Sequence, residues 1–276
     1  MSIEEPRDQM LDVGDRRLFV QESGTGEPVV LLEAGFGGYH TTWNSIWEPL
    51  SAWIRVCRYD RANLGRSDPV DGPRSLRDAV SDAVRVIEAV AGGKSLIIVG
   101  HSLGGAIALA LSGKIRANIA GVVLLDAYHP DWEERVRAAL PAKKTDPPEY
   151  AELPWRQAAP APDAPDNPEH FLWSAVDREV KEVRSLGCTP LLVVSRMRPP
   201  PGAPFPKFYG DTLSSCDKAH AEALHEQVQR ELAQLSVRGD FLLLAGAGHY
   251  LHRDRPFAVS SQILRMISEM RRPEAR

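Results

Sequence analysis

The feature that most limits what this chain can fold into is a set of short, continuous apolar runs, each followed by a segment of different periodicity. The runs are "EPVVLLEAG", "IRVCRYD", "KSLIIVG", "IAGVVLLD", "TPLLVVS" and "DFLLLAGAG". Runs that are apolar at nearly every position read as strands buried on both faces, whereas the alternating "RRLFVQESG" near the start reads as an edge hairpin strand. Helical spacing fills the gaps. "TTWNSIWEPLSAW" sets Trp43, Ile46, Trp47, Leu50 and Trp53 in a stripe expected to pack in the core. "SLRDAVSDAVRVIEAVAGG" puts Leu76, Val80, Val84 and Ile87 on one face and stops on glycines. "LGGAIALALSGKI", "DKAHAEALHEQVQRELAQLS" and "PFAVSSQILRMISEM" predict further helices, the last with Pro256 in its first turn. Strands alternating with helices predict an α/β fold: a mostly parallel sheet with helices on both faces.

The alternation breaks once. Between residues 127 and 187 the chain is rich in Pro, Ala and charge, with Trp155, Phe171, Leu172 and Trp173 as its apolar groups. A long irregular stretch inside a compact domain is usually a functional lid or a disordered segment, and these side chains favour a lid. The expected organisation is a core of residues 1–126 and 188–276 interrupted by a lid or cap at 127–187.

Composition narrows the function. The chain has 276 residues, 43% hydrophobic and 25% charged, with a formal net charge of -4. That is long enough for a large core, and basic residues are dispersed among acidic ones, which argues against a nucleic-acid partner. Three cysteines, Cys57, Cys188 and Cys216, are widely spaced and form no C-x-x-C pattern, so neither a disulfide framework nor a metal site is indicated. The acidic, polar "MSIEEPRDQML" has no signal-peptide pattern, and no run approaches membrane-spanning length. A soluble, cytoplasmic protein with no membrane partner is expected.

"IIVGHSLGGAIALA" carries the chemistry. A strand must turn into a helix within about four residues, and Gly100, Gly104 and Gly105 would permit the close approach this requires. Ser102 then projects at the apex, near a helix N-terminus that favours developing negative charge. An ordinary N-cap serine is the plainer reading, but the placement between strand and helix favours a nucleophile. A serine hydroxyl needs a base oriented by a carboxylate. His249, on a loop after "DFLLLAGAG", is the expected base. His252 is expected to be a surface or loop-ordering residue. Asp126, ending "GVVLLD", gives the chain order Ser, Asp, His and is the expected acid, with Asp211 and Asp217 as alternatives. Two oxyanion donors are expected from the backbone N–H groups of Leu103, after the nucleophile, and Phe36, in the bare "AGFGG" turn. In "YDRANLGRSD", Asp60 and Arg61 are expected to pair with each other. Gly35, His101, Trp155 and Trp173 are the residues expected to touch substrate.

With "GHSLGG", "EAGFGG", "YDRANLGRSD", "VVLLDAYHP" and "GAGHYLH" in order from about Leu18 to Met270, the sequence resembles the α/β-hydrolase superfamily, serine-nucleophile branch. The resemblance implies an eight-stranded, mostly parallel sheet with a lid after the sixth strand, and ester or related acyl hydrolysis without a cofactor. It departs from the commonest pattern at Ala34, where many members carry histidine, and after "LLVVS", where the usual aspartate is missing. The second departure resembles members that take the acid from the end of the sixth strand. Ser102 also argues against haloalkane dehalogenases and epoxide hydrolases, which carry an aspartate at that turn. The leading expectation is a serine hydrolase acting on a small or medium carboxylic ester through an acyl-enzyme, with a small-molecule acyl substrate as its partner and the protein a monomer or homodimer. A thioesterase or cyclase, a C–C or cyanohydrin lyase, and a ligand-binding receptor on the same fold are the alternatives.

Overall fold

The computed structural model of the chain describes residues 5–115, 119–141, 153, 157–199 and 213–271. Eight strands form one sheet in the order β1-β2-β4-β3-β5-β6-β7-β8. They are β1 (Arg7–Asp12), β2 (Arg17–Ser23), β3 (Val29–Glu33), β4 (Val56–Tyr59), β5 (Leu96–His101), β6 (Ile119–Leu125), β7 (Leu191–Arg196) and β8 (Gly239–Leu244). β1 and β2 form an antiparallel hairpin, β2 pairs antiparallel with β4, and every other pairing is parallel. The fold is α/β, as the alternation predicts. β1 was not foreseen: "RDQMLD" is polar and solvent-facing, and becomes a strand because β2 offers it an edge.

The helices are α1 (Asn44–Ser51), α2 (Leu76–Ala91), α3 (Leu103–Lys114), α4 (Trp132–Ala139), α5 (Trp173–Val180), α6 (Ser215–Ala233), α7 (Leu251–Asp254) and α8 (Pro256–Met270), with a 3-10 turn at His40–Trp43. The continuous apolar runs are explained by two cores. Val29, Leu31, Ile98, Val122 and Leu124 face α2, α3 and α5. Their neighbours Val30, Leu32, Ile97, Val99 and Val123 face α1 and α8 on the other side. Side chains of successive strand residues point to opposite faces, so a strand covered twice must be apolar at every position. α3, wedged between β5, α2 and α5, is buried almost all round. Trp53 departs from the expected stripe: helix α1 ends at Ser51, and Trp53 stands 69% exposed.

Two environments divide the segment between β6 and β7. α4 packs on α6, where Val136, Leu140, Leu153, Leu213 and Ala221 form a small core of their own. From Phe171 onward the chain joins the main core through Phe171, Val176, Val180 and Leu186. Phe171, expected to lie over a site as part of a lid, is instead fully buried in the body of the fold. No helix among the described residues is long and apolar enough to cross a membrane.

Candidate active site

The loops after β3, β5, β6, β7 and β8 gather at the carboxyl edge of the parallel strands, where α/β sheets place their sites. β5 turns into α3 at Ser102, whose backbone is left-handed at φ 51° and ψ -121°. Non-glycine residues rarely adopt such angles, and strain of this kind costs on the order of 1–3 kcal/mol. The glycines around it are sterically required. A Cβ on Gly100 would lie 2.3 Å from the Gly104 carbonyl oxygen, one on Gly104 would lie 2.1 Å from that of Glu33, and one on Gly105 would lie 2.5 Å from Ala127 Cβ. Strand and helix therefore cross in contact, and Ser102 is held at the crossing. Its N–H donates to the Leu125 carbonyl at 3.1 Å, and its own carbonyl accepts from Gly105 and Tyr128.

Asp126 follows β6 directly and is also left-handed, at φ 45°. Its Oδ2 lies 2.7 Å from His249 Nδ1. A carboxylate only accepts, so Nδ1 is the donor, and in the neutral imidazole this tautomer leaves the lone pair on Nε2. The Asp126 side chain is fully buried, and four more donors surround it. Arg196 Nη1 bonds Oδ2, while His225 Nε2 at 2.8 Å, Ser195 Oγ at 3.2 Å and the Arg196 N–H at 3.3 Å reach Oδ1. Burial pushes this carboxyl up, but Arg196, His225 and His249 together outweigh it and hold it well below the usual carboxylate range. Arg196 is anchored in turn by Glu222, 3.1 Å from its Nη2.

His249 is one of two histidines that reach this carboxylate, and it lines the same cavity as Ser102. Its side chain is 36% exposed, and its loop is tied down by Asp254, which accepts from the Gly248 N–H at 2.7 Å. His101, expected to touch substrate, lies behind it: buried to 1%, it donates from Nε2 to the His249 carbonyl at 2.8 Å. His252, expected at the surface, is fully buried against the rings of Trp43 and His101. Burial, with neighbouring positive charge, drives both histidines down, His101 well below its ordinary value and His252 to about 3.

A cavity of about 320 Å³ opens on Ser102 and His249, walled by Tyr128, Trp132, Val228 and His225 among others. A larger groove of about 520 Å³ between α2, α3 and α5 includes none of the residues that meet at Ser102. Trp173 does not wall the cavity; its ring packs edge-on against Phe36 at 5.0 Å and near Tyr128 at 5.9 Å. Gly35 brings the loop after β3 against the serine, since a Cβ there would lie 3.2 Å from Ser102 Cβ and 2.9 Å from His101 Nδ1.

Several expectations are corrected. Asp60 and Arg61 do not pair: Asp60 holds His40 and the Arg66 N–H, whereas Arg61 bonds Glu33 and Glu169. Asp217 caps α6 with Ser214, on the surface and away from His249. Asp211 and Trp155 lie outside the described residues. Arg196, His225 and Glu169 were missed. Arg196 left a signal, since it stands where an acid was sought and not found; His225 and Glu169 left none, being single polar residues in a helix and an irregular segment.

A model of the alpha/beta hydrolase family matches residues 29–262. The "Putative carbamate hydrolase RutD" of Azorhizobium caulinodans is 39% identical over 115 residues, 42% of this chain and 43% of its own length. The matches span less than half the length of the curated relatives. An esterase from Thermogutta terrifontis superposes with a TM-score of 0.64 at 20% identity, covering 97% of this chain and 100% of that one. A serine hydrolase involved in carbazole degradation, CarC, gives 0.65 at 16% identity, covering 96% and 99%. At these identities the structural likeness shows a shared fold.

Proposed function

The chain belongs to the alpha/beta hydrolase family, and on that premise we propose that it is a serine hydrolase cleaving a small or medium carboxylic ester through an acyl-enzyme. The observation that carries the reading is the 2.7 Å contact between His249 Nδ1 and the buried Asp126, beside a serine held in a strained turn. Ser102 Oγ attacks the ester carbonyl carbon while His249 Nε2 takes its proton. The tetrahedral oxyanion is received by the N–H groups of Phe36 and Leu103. Collapse breaks the carbon–oxygen bond, and the leaving alcohol takes the proton from His249. Water then repeats the sequence with His249 again as base, releasing the acid and restoring Ser102. Asp126, held ionised by Arg196 and its histidine partners, keeps His249 in the tautomer that leaves Nε2 free.

The cavity of about 320 Å³ suits a small or medium acyl group. In this reading the described part of the insertion borders the site through Tyr128, His129, Trp132 and Glu133, and Trp173 packs against Phe36. No cofactor enters the scheme. A carbamate in place of the ester is the second reading, favoured by the match to the carbamate hydrolase relative; it would pass through a carbamoyl-serine by the same steps.

Intact mass after treatment with a fluorophosphonate, followed by turnover of an ester, thioester and carbamate panel, tests the proposal. One adduct is expected on the wild type and none on Ser102→Ala. Ser102→Ala and His249→Ala should each lower kcat by about 10⁴- to 10⁶-fold, with little further loss when combined, because the groups act as a unit. A folded wild type that takes no adduct and turns over nothing overturns the reading in favour of a ligand-binding role.

A further inference from the structure

On the reading of Ser102 as an acyl-transfer nucleophile, we infer that Arg61 and Glu169 are positioning residues for the oxyanion-binding loop. They grip the Ala34–Gly37 backbone on both sides of Phe36 and so aim the Phe36 N–H at the reacting oxygen.

The loop has little structure of its own. It is closed by the Gly38 N–H donating to the Gly35 carbonyl at 3.0 Å, with Gly37 left-handed at φ 65°. Glycine on either side of Phe36 leaves its peptide planes free to rotate. The constraint comes from below. Arg61 Nη1 donates to the Ala34 carbonyl at 2.6 Å, and Nη2 to the Gly35 carbonyl at 2.8 Å. Glu169 Oε1 accepts the Gly37 N–H at 2.7 Å. The two side chains also hold each other, Nε to Oε2 at 2.6 Å and Nη2 to Oε1 at 2.8 Å.

In a trans peptide the carbonyl and the following N–H point in opposite directions. With the Gly35 oxygen drawn down to Arg61, the Phe36 N–H is turned the other way. Gly35 itself stands against the serine, since a Cβ there would be 3.2 Å from Ser102 Cβ. A rotated peptide would present a carbonyl oxygen to the oxyanion instead of a donor. Fixing the donor before reaction is what makes such a site effective.

The grip is itself rigid. Arg61 is 1% exposed, and Glu33 and Glu169 are fully buried. Arg61 Nη1 also bonds Glu33 at 2.7 Å, and Tyr59 donates to Glu33 at 2.5 Å. Glu169 stands in a clamped turn: Asn167, fully buried, bonds both the N–H and the carbonyl of Phe171, and the Arg74 backbone pairs with His170 and Leu172. A buried ion pair is by itself weak evidence for stability. Here three of its hydrogen bonds go to one loop backbone, and the acid comes from the inserted segment, which ties the insertion to the chemistry at Ser102.

Glu169→Gln and Glu169→Ala test this with three readouts: steady-state hydrolysis, inhibition by a trifluoromethyl ketone that forms the tetrahedral adduct, and inhibition by the product carboxylic acid. Glutamine keeps an oxygen for Gly37 and gives up the Arg61 Nε contact. It should lower kcat by about threefold to tenfold, and alanine by about tenfold to a hundredfold, with KM and product affinity within twofold. Ketone affinity should fall in step with kcat/KM. A purely structural role would not separate ketone from product. Should alanine fail to fold, the glutamine variant decides, its melting curve showing whether it is native. Unchanged kcat in a native variant, or ketone and product affinities falling equally, overturns the inference while leaving the hydrolase reading intact. A wild type inert to ester and fluorophosphonate overturns both.

Discussion

Asp126 sits where a buried carboxylate would ordinarily be costly, and besides His249 the residues that offset the cost come from two other elements. Ser195 and Arg196 end β7, at the place where an acid was sought, and both turn toward Asp126. His225 reaches it from α6. If the carboxylate serves to orient His249, an amide should be a poor substitute, since its NH₂ group can favour the wrong tautomer. Asp126→Asn should lower kcat by about 10⁴-fold, measured on the best ester of the panel. His225→Phe removes one of several donors to Oδ1 and leaves Arg196 and Ser195 in place. A loss of about tenfold is expected there, the size of one hydrogen bond. Equal losses in the two variants would show that His225 shares the role of His249.

At the scale of elements, the serine turn depends on β3, β5 and α3 lying in contact. Gly104 is the tightest point, since an added Cβ would lie 2.1 Å and 2.5 Å from the carbonyl oxygens of Glu33 and Ala34, both backbone atoms with little room to move. Gly104→Ala should therefore push α3 away from β3, destabilising the protein by about 1–3 kcal/mol and lowering kcat as well. Gly113, in the last turn of the same helix, meets nothing within 4 Å. Gly113→Ala should stabilise by about 0.5–1 kcal/mol and leave kcat unchanged. Urea midpoints and turnover of the two variants check the pair, and equal effects would mean that the close crossing is not what the glycines serve.

At the scale of the whole molecule, stability should fall on mild acidification. His101 and His252 are kept neutral by burial, with His252 titrating only at about 3 in the folded state. Unfolded histidines take up protons below about pH 6.5. The unfolded chain thus binds more protons than the native one over that interval. The stability these residues contribute is complete above pH 6.5 and is lost as pH falls, by about 1.4 kcal/mol per pH unit for each histidine. Asp126, whose folded value is depressed, adds a further loss below about pH 3.9. Urea unfolding between pH 7.5 and 5 measures the slope, and His252→Gln should reduce it by about one proton.

Much of this was legible in the residues. The doubly apolar runs of β3, β5, β6 and β7 dictate a sheet covered on both faces, and the glycines about Ser102 dictate a close strand-to-helix turn, because both follow from local sterics and side-chain periodicity. β1 was not legible, since a polar strand exists only where a neighbour offers an edge. Nor was the destination of Arg61: beside Asp60 in sequence, it spans to Glu33 and Glu169, which the chain places 28 and 108 residues away. Local pattern determined the layers, the turn at Ser102, the strand end at which Asp126 stands and the loop after β8 that carries His249. Only the tertiary structure decided that Arg196 and His225 close on Asp126 and that Glu169 returns to the Phe36 loop, because a buried charge takes whichever partners the packing of distant segments brings within reach.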